Sequence, residues 1–284
     1  MSNTTSINSE LIATLIGQAQ FAAYEQSIAR QLVSVFDLPA GAGKSVQVPV
    51  WSAVSASLIT DESAASAADT NTTSATITLA EHVVYHRITN MLRDSASADV
   101  FAQLGDQSGR AIAESLDGQV FTLFDNVSGN TALITQSVGS AGADNTPQDI
   151  MKAAAILRGN KLTGPFYAVL HPKQAYGIKA NLTATTSYTN STALGSEVLS
   201  MGFIGELAGV RIFESALVPV DGSDDATGCV FAPSAFGHAM RGTIDVAQQY
   251  MAAERSTDLV LTGVAGAQIL QASHAVRVIG DATV

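Results

Sequence analysis

His82 and His86 stand four residues apart, the spacing at which a helix presents two imidazoles to one zinc ion. The residues around them alternate, with Ile77, Leu79, Val83 and Tyr85 on one face and Thr76, Thr78, Ala80 and His82 on the other. That period belongs to a strand, where four residues span ~13 Å and two histidines cannot share one ion. Glu81 precedes His82, so H-E-x-x-H is absent. Gly41-Ala42-Gly43-Lys44-Ser45 ends as a phosphate-binding loop ends, but Leu38 occupies the place of its first glycine. Val46-Gln47-Val48-Pro49 follows as a strand, where a phosphate site needs a helix N-terminus. Cys229 lies in the apolar run Cys229-Val230-Phe231 and reads as a small buried hydrophobe. His171, His238 and His274 are scattered singles. Asp221, Asp224 and Asp225 carry oxygens suited to Ca²⁺, yet the stretch 221–228 reads as a solvated acidic loop. Neither G-x-S-x-G nor G-x-G-x-x-G occurs, so no catalytic, cofactor-binding or metal site is expected.

With no chemistry in view, composition narrows the function. Charged residues make up 14 % of the 284, against roughly 25 % in an average globular protein. Hydrophobic residues make up 46 %, so much of the surface is Ser, Thr, Asn, Gln and Ala. Such a surface suits a protein covered by copies of itself. The net charge of −11 excludes binding through phosphate neutralisation, although a wall that mildly repels nucleic acid can still enclose it. A single cysteine excludes an intramolecular disulfide and fits a reducing compartment. No basic leader opens the chain, and no apolar run reaches the ~18 residues that span a bilayer.

The order of elements is the stronger signal. Residues 9–36 repeat apolar side chains at helical spacing, from Leu11 to Phe36. Alternating shoulders at 44–60 and 76–88 flank DESAASAADTNTTSA, which has no large apolar residue. This predicts a hairpin with arms of ~15 residues, reaching on the order of 50 Å. A two-stranded ribbon of that length is marginal alone and needs something to lie on. Residues 97–125 carry the longest helical stripe, a rod of ~40 Å, despite Gly105, Gly109 and Gly118. Those glycines suggest close packing or a bend. Pro147 behind Thr146 starts a helix over 147–159. A strand at 166–171, a helix at 172–181, a strand at 209–213, short strands at 229–233 and 237–240, and β-type alternation over 258–279 complete the pattern.

This order, with the run Phe203-Ile204-Gly205-Glu206-Leu207-Ala208-Gly209-Val210-Arg211-Ile212-Phe213-Glu214-Ser215, then Leu217 and Pro219, and the closing run 267–279, resembles the major capsid proteins of tailed bacteriophages with the Hong Kong 97 fold. The resemblance implies an α+β chain. It divides into an N-terminal arm at 1–38 and an extended E-loop with its shoulders at 39–90. A peripheral domain with the spine helix at 91–146, an axial domain at 147–240 and return strands of the peripheral domain at 241–284 follow.

It implies a coat protein, not an enzyme, that self-assembles as hexamers and pentamers into an icosahedral virion capsid enclosing double-stranded DNA. Assembly would take place in the bacterial host cytoplasm, with no membrane, no cofactor and no sequence-specific DNA contact. The implied partners are other copies, a separate scaffolding protein, a portal, and a decoration or cement protein. Some members of the family cross-link through a lysine in the loop, but Lys44, Lys152, Lys161, Lys173 and Lys179 leave 45–90 without one. Intersubunit contacts are expected between Asp61, Glu62 and Asp69 at the loop tip and Arg87, Arg93 or Arg255 of a neighbour. An encapsulin-type nanocompartment shell protein would share the fold. A soluble hydrolase using His171, His238 or Cys229 is the alternative from another class.

Overall fold

The computed structural model describes residues 19, 27–39, 41, 43–51, 54, 56, 58, 72–95, 98–126, 132–184 and 205–283. Most of the arm, the tip of the loop at 59–71 with Asp61, Glu62 and Asp69, and residues 185–204 lie outside them.

Two sheets organise the chain. The larger has order β5-β12-β9-β6-β8-β7, built from β5 (Ser137–Gly139), β6 (Phe166–Leu170), β7 (Glu206–Leu207), β8 (Val210–Glu214), β9 (Asp225–Phe231) and β12 (Ala275–Asp281). Helices α4 (Pro147–Gly159) and α5 (Pro172–Ala184) cover one face. Ile150, Ala154, Leu157 and Ile178 pack there on Ala168, Leu170, Val230, Val276 and Val278. Alternate strand residues Val169, Cys229, Phe231 and Ala275 point to the other face, which is also buried. This explains why β9 is buried along its whole length. The helix α4 starts as its sequence predicts: the Thr146 amide and hydroxyl donate to Asp149 Oδ2 at 3.0 and 2.8 Å. Burial pushes the Asp149 carboxyl up, but the Thr146 donors and Lys152 outweigh it and hold it below the usual carboxylate range.

The second sheet has order β1-β10-β11-β4, from β1 (Ser34–Leu38), β4 (Ala80–Thr89), β10 (Phe236–Met251) and β11 (Ser256–Ile269). The spine helix α3 (Ala98–Phe121, 24 residues) lies on one face and continues as a 3-10 turn at Thr122–Asp125. Ile112 and Leu116 pack there on Ile88, Met240, Ile244, Leu259, Leu261 and Ala265. The short helix α2 (Asn90–Ser95) links β4 to α3. A ribbon of β2 (Ser45–Trp51) and β3 (Thr72–Thr78) pairs Ser45 with Thr78 and Trp51 with Thr72. Its base sits on the other face of this sheet, with Val46, Val48, Ile77 and Leu79 against Phe36, Leu38, Ala239 and Val264. Gly266 in β11 allows this crossing, because a Cβ there would strike the Thr78 carbonyl.

Several sequence expectations are corrected. Helical spacing in the arm runs to Phe36, yet among the described residues after 26 the helix α1 spans Ala29–Leu32, and 34–38 forms a strand parallel to β10. An exposed sheet edge beside an alternating Val35-Phe36-Asp37-Leu38 decides for the strand. The paired arms of the ribbon are seven residues each, ~23 Å rather than ~50 Å, because 80–89 leaves it for β11. Residues 237–240 belong to a strand of 16 residues, and Gly263 and Gly266 do not interrupt β11. Asp225 is buried in β9 and accepts the Gly142 amide at 2.6 Å, so the acidic loop ends at Asp224. Gly118 faces open space, which removes close packing as its reason. β5 and β12 lie in the larger sheet, while β10 begins at 236 in the smaller.

The arm is latched to the spine helix by a buried carboxylate. Asp117 accepts the Ser27 hydroxyl at 2.6 Å and the Ile28 amide at 2.8 Å, just ahead of α1. Burial pushes its pKa up, and these hydrogen-bond donors oppose that shift. Two outcomes follow from this packing. Asp117→Ala should free the arm, raising protease cleavage within 27–38 several-fold, while Asp117→Asn should retain part of the protection. Phe124→Ala removes a ring with no exposure and should cost about 3–5 kcal/mol in chemical denaturation.

Candidate intersubunit surfaces

The residues with possible chemistry are each accounted for locally. Gly41 and Gly43, with φ +91° and +87°, make a turn into β2, and the Gly43 carbonyl accepts from the Arg241 guanidinium. This is a glycine turn before a strand. Burial pushes the Cys229 thiol far up, beyond use as a nucleophile. His171 Nδ1 accepts the Lys173 amide at 3.3 Å, at the start of α5. His274 Nδ1 lies 2.7 Å from Ser234 Oγ. Among the described residues no three His, Cys, Asp or Glu side chains gather as a metal site. Likewise, none of the helices among them is long and apolar enough to cross a membrane.

The surface holds more information than the interior. Among the described residues, the face of the β1-β10-β11-β4 sheet opposite α3 is only half covered. Its first half carries the ribbon base. The second half is bare, with Val83, Tyr85 and Arg87 of β4 beside Thr262, Val260 and Asp258 of β11. Tyr85 is 50 % exposed and Val83 53 %. Val83 and Tyr85 do not share a face with Ile77 and Leu79: β3 pairs with β2 in the ribbon and β4 with β11 in the sheet, so Ile77 and Leu79 are buried while Val83 and Tyr85 lie open. At the end of the ribbon Trp51 is 64 % exposed, and beyond it Val54 is exposed and Leu58 is 99 % exposed. The only tryptophan of the chain and a leucine thus stand in water at the start of a polar loop. Sequence reasoning passed over Trp51 and Leu58, although two large apolar residues ahead of a run of Ser, Ala and Thr are a visible signal.

Three arginines were expected to receive a neighbour's acids. Arg87 is held within its own subunit: Nε lies 2.9 Å from Asp258 Oδ1, the second amino group lies 3.2 Å from Asp258 Oδ2, and Glu254 binds the remaining one. Tyr85 adds its hydroxyl at 3.0 Å. The Arg87 hydrogen bond is the largest cause holding the Asp258 carboxyl below its ordinary value. The side chain of Arg93 lies outside the described residues. Arg255 is exposed at the β10–β11 turn, with φ +48°, and no carboxylate among the described residues pairs with it. It lines an open depression of about 530 Å³ with Thr89, Asn90, Met91, Ser95 and Glu254.

Residues 72–278 match the model of a family described as phage capsid protein. No curated protein matches the chain. Among solved structures, the acid-stable capsid of Helicobacter pylori bacteriophage KHP30 superposes with a TM-score of 0.68 at 12 % identity, covering 88 % of each chain. The capsid of cyanophage P-SCSP1u gives 0.67 at 18 % identity, covering 87 % of this chain and 86 % of that one. A virus-like particle from Pyrococcus furiosus gives 0.60 at 13 % identity, covering 94 % and 98 %. These likenesses establish the fold, and the family match covers most of the chain. The chain belongs to the phage capsid protein family: it is a structural capsid protein with the Hong Kong 97 fold, not an enzyme.

Proposed function

We propose that copies of this chain form hexamers and pentamers that close an icosahedral head around double-stranded DNA. The observation that carries this reading is the unsatisfied apolar surface at two separate places. Trp51, Val54 and Leu58 project at one end of the ribbon, and Val83 and Tyr85 lie bare on the sheet. A donor and an acceptor at different places on one subunit make a heterologous contact, which builds rings when the rotation closes. The six-stranded body is the proposed axial, ring-forming part. The spine helix with the four-stranded sheet is the proposed peripheral part. A net charge of −11 suits a wall that encloses DNA without gripping it.

In this reading the acids Asp61, Glu62 and Asp69 follow the apolar residues of the loop onto the neighbour. Arg255 is the favoured receiver, with Arg93 the second, since Arg87 already has two carboxylates. Each exposed pair contributes only about 0–1 kcal/mol, repeated over every copy. A separate scaffolding protein, a portal and a decoration protein are the proposed partners, and the bacterial cytoplasm the place of assembly.

The purified protein, alone or with its co-expressed scaffold, should sediment as closed shells or ring-sized oligomers that negative-stain microscopy resolves. A monomer under both conditions would end the assembly proposal. Asp61→Lys with Glu62→Lys should lower the yield of shells several-fold, and adding Arg255→Glu should restore part of it. No restoration would move the contact away from Arg255. Intact particles should run as monomer on a denaturing gel, because the loop offers no lysine.

A further inference from the structure

The seam between spine helix and sheet is apolar around two polar rungs, the first set in a polar layer. His82 Nδ1 lies 2.6 Å from Ser115 Oγ. His82 Nε2, Gln119 Oε1 and His238 Nδ1 are buried with no hydrogen-bond partner among the described residues. His238 is 3 % exposed, on the face of β10 that also carries Met240 against the helix. A second rung stands further along: His86 Nε2 lies 2.8 Å from Ser108 Oγ. The order is reversed, 82 with 115 and 86 with 108, so strand and helix run antiparallel through the two rungs.

The rungs differ in their protons. The Ser108 hydroxyl already donates to the Leu104 carbonyl at 2.6 Å. A hydroxyl has one proton, so Ser108 must accept from His86 Nε2–H. Both the neutral and the protonated ring carry that hydrogen, and this rung survives acid. The His82 rung has no such guarantee. A cation there would be half-buried, and the one carboxylate named beside the layer, Asp37, lies next to His238 and 3.8 Å from Arg30.

We infer that His82 and His238 make the C-terminal half of the spine helix a proton-sensitive seam, held to the sheet while both rings are neutral and released when they are protonated, with the His86–Ser108 rung as the pivot. The surrounding charges support this. His238 meets Arg30 and Asp37 from the arm and His82 from β4. Arg30 and Asp37 lie 3.8 Å apart, and Arg30 also reaches the Met240 sulfur at 3.8 Å. From the helix, Ser115 and Gln119 face the layer uncharged, Asp117 turns to Ser27 of the arm, and Arg110 and Glu114 are exposed. From β11, Gly263 and Ala267 are the paired neighbours of His82 and His238 and carry no charge. Burial, then Arg30, then His82, hold His238 down to about 4, with Asp37 opposing. Burial also holds His82 low, against Gln119. Because both folded values lie below the ordinary 6.5, the contribution is complete above pH 6.5 and is lost as pH falls toward 4.

Hydrogen exchange on the full-length protein, unassembled and in shells, tests this independently of the assembly reading. Corrected for intrinsic rates, amides 112–121 should lose at least tenfold protection between pH 7.5 and 4.5, while amides 103–109 stay protected. The double variant His82→Gln with His238→Gln should lose that response. If it does not fold, His82→Gln alone should at least halve it. Equal protection at both pH values in the unaltered protein, opening of both halves together, or an unchanged response in the variants would each overturn the inference.

Discussion

Four phenylalanines sit where the two sheets meet, and most of the architecture depends on their packing. Phe124 follows the spine helix, Phe231 ends β9 and Phe236 begins β10, with ring centroids 5.0 to 5.8 Å apart. Phe121 joins from the last turn of the helix at 5.5 Å. Each buried ring stabilises by roughly 2–3 kcal/mol, with further gain from tilted and edge-on contacts. Ala29 and Leu32 of the arm and Val169, Cys229 and Ala275 of the larger sheet close around the rings. One cluster therefore sets the helix against the smaller sheet, the smaller sheet against the larger, and the arm against both. A capsid subunit needs that rigidity, because its curvature is copied into every neighbour.

From this junction the smaller sheet extends outward with its two faces treated differently. The helix face is filled along the described length, from Met240 to Ile88. The opposite face is filled by the ribbon near the junction and left open beyond it. An isolated globular protein has no reason to end its cover halfway along a sheet while carrying Trp51 and Leu58 in water. Charge on the open half is balanced within the subunit, where Arg87 sits between Asp258 and Glu254. The proposed contact there would be governed by apolar surface, with exposed ion pairs tuning which neighbour fits.

Much of this was legible in the sequence, for reasons that can be stated. The spine helix and α4 announce themselves through apolar spacing and through Pro147 behind Thr146, both local signals. Local alternation marked β2 and the last residues of β3, and a buried-type apolar run marked β6, for the same reason. Signals that depend on partners were hidden. Val35 to Leu38 fit a helical stripe or a strand equally, and the open edge of β10 decides. Asp225 looked solvated because its partner, the Gly142 amide, is 83 residues away. Asp117 and the serines that meet His82 and His86 drew no attention, since a single acid or serine on a helix carries no pattern of its own. The order of elements, by contrast, survives weak local signals, which is why the family could be recognised at sequence identities of 12 to 18 % to the solved capsids.

The central claim is that the bare half of the sheet is covered by the loop of another copy. A reconstruction of assembled particles by electron cryomicroscopy, detailed enough to trace 52–71, addresses it most directly. The account predicts density for Leu58 and the following residues on the Val83–Tyr85 face of an adjacent subunit, with the acidic tip beside Arg255. A loop that folds back onto its own subunit, or a Val83–Tyr85 face open to solvent in the closed shell, would contradict it.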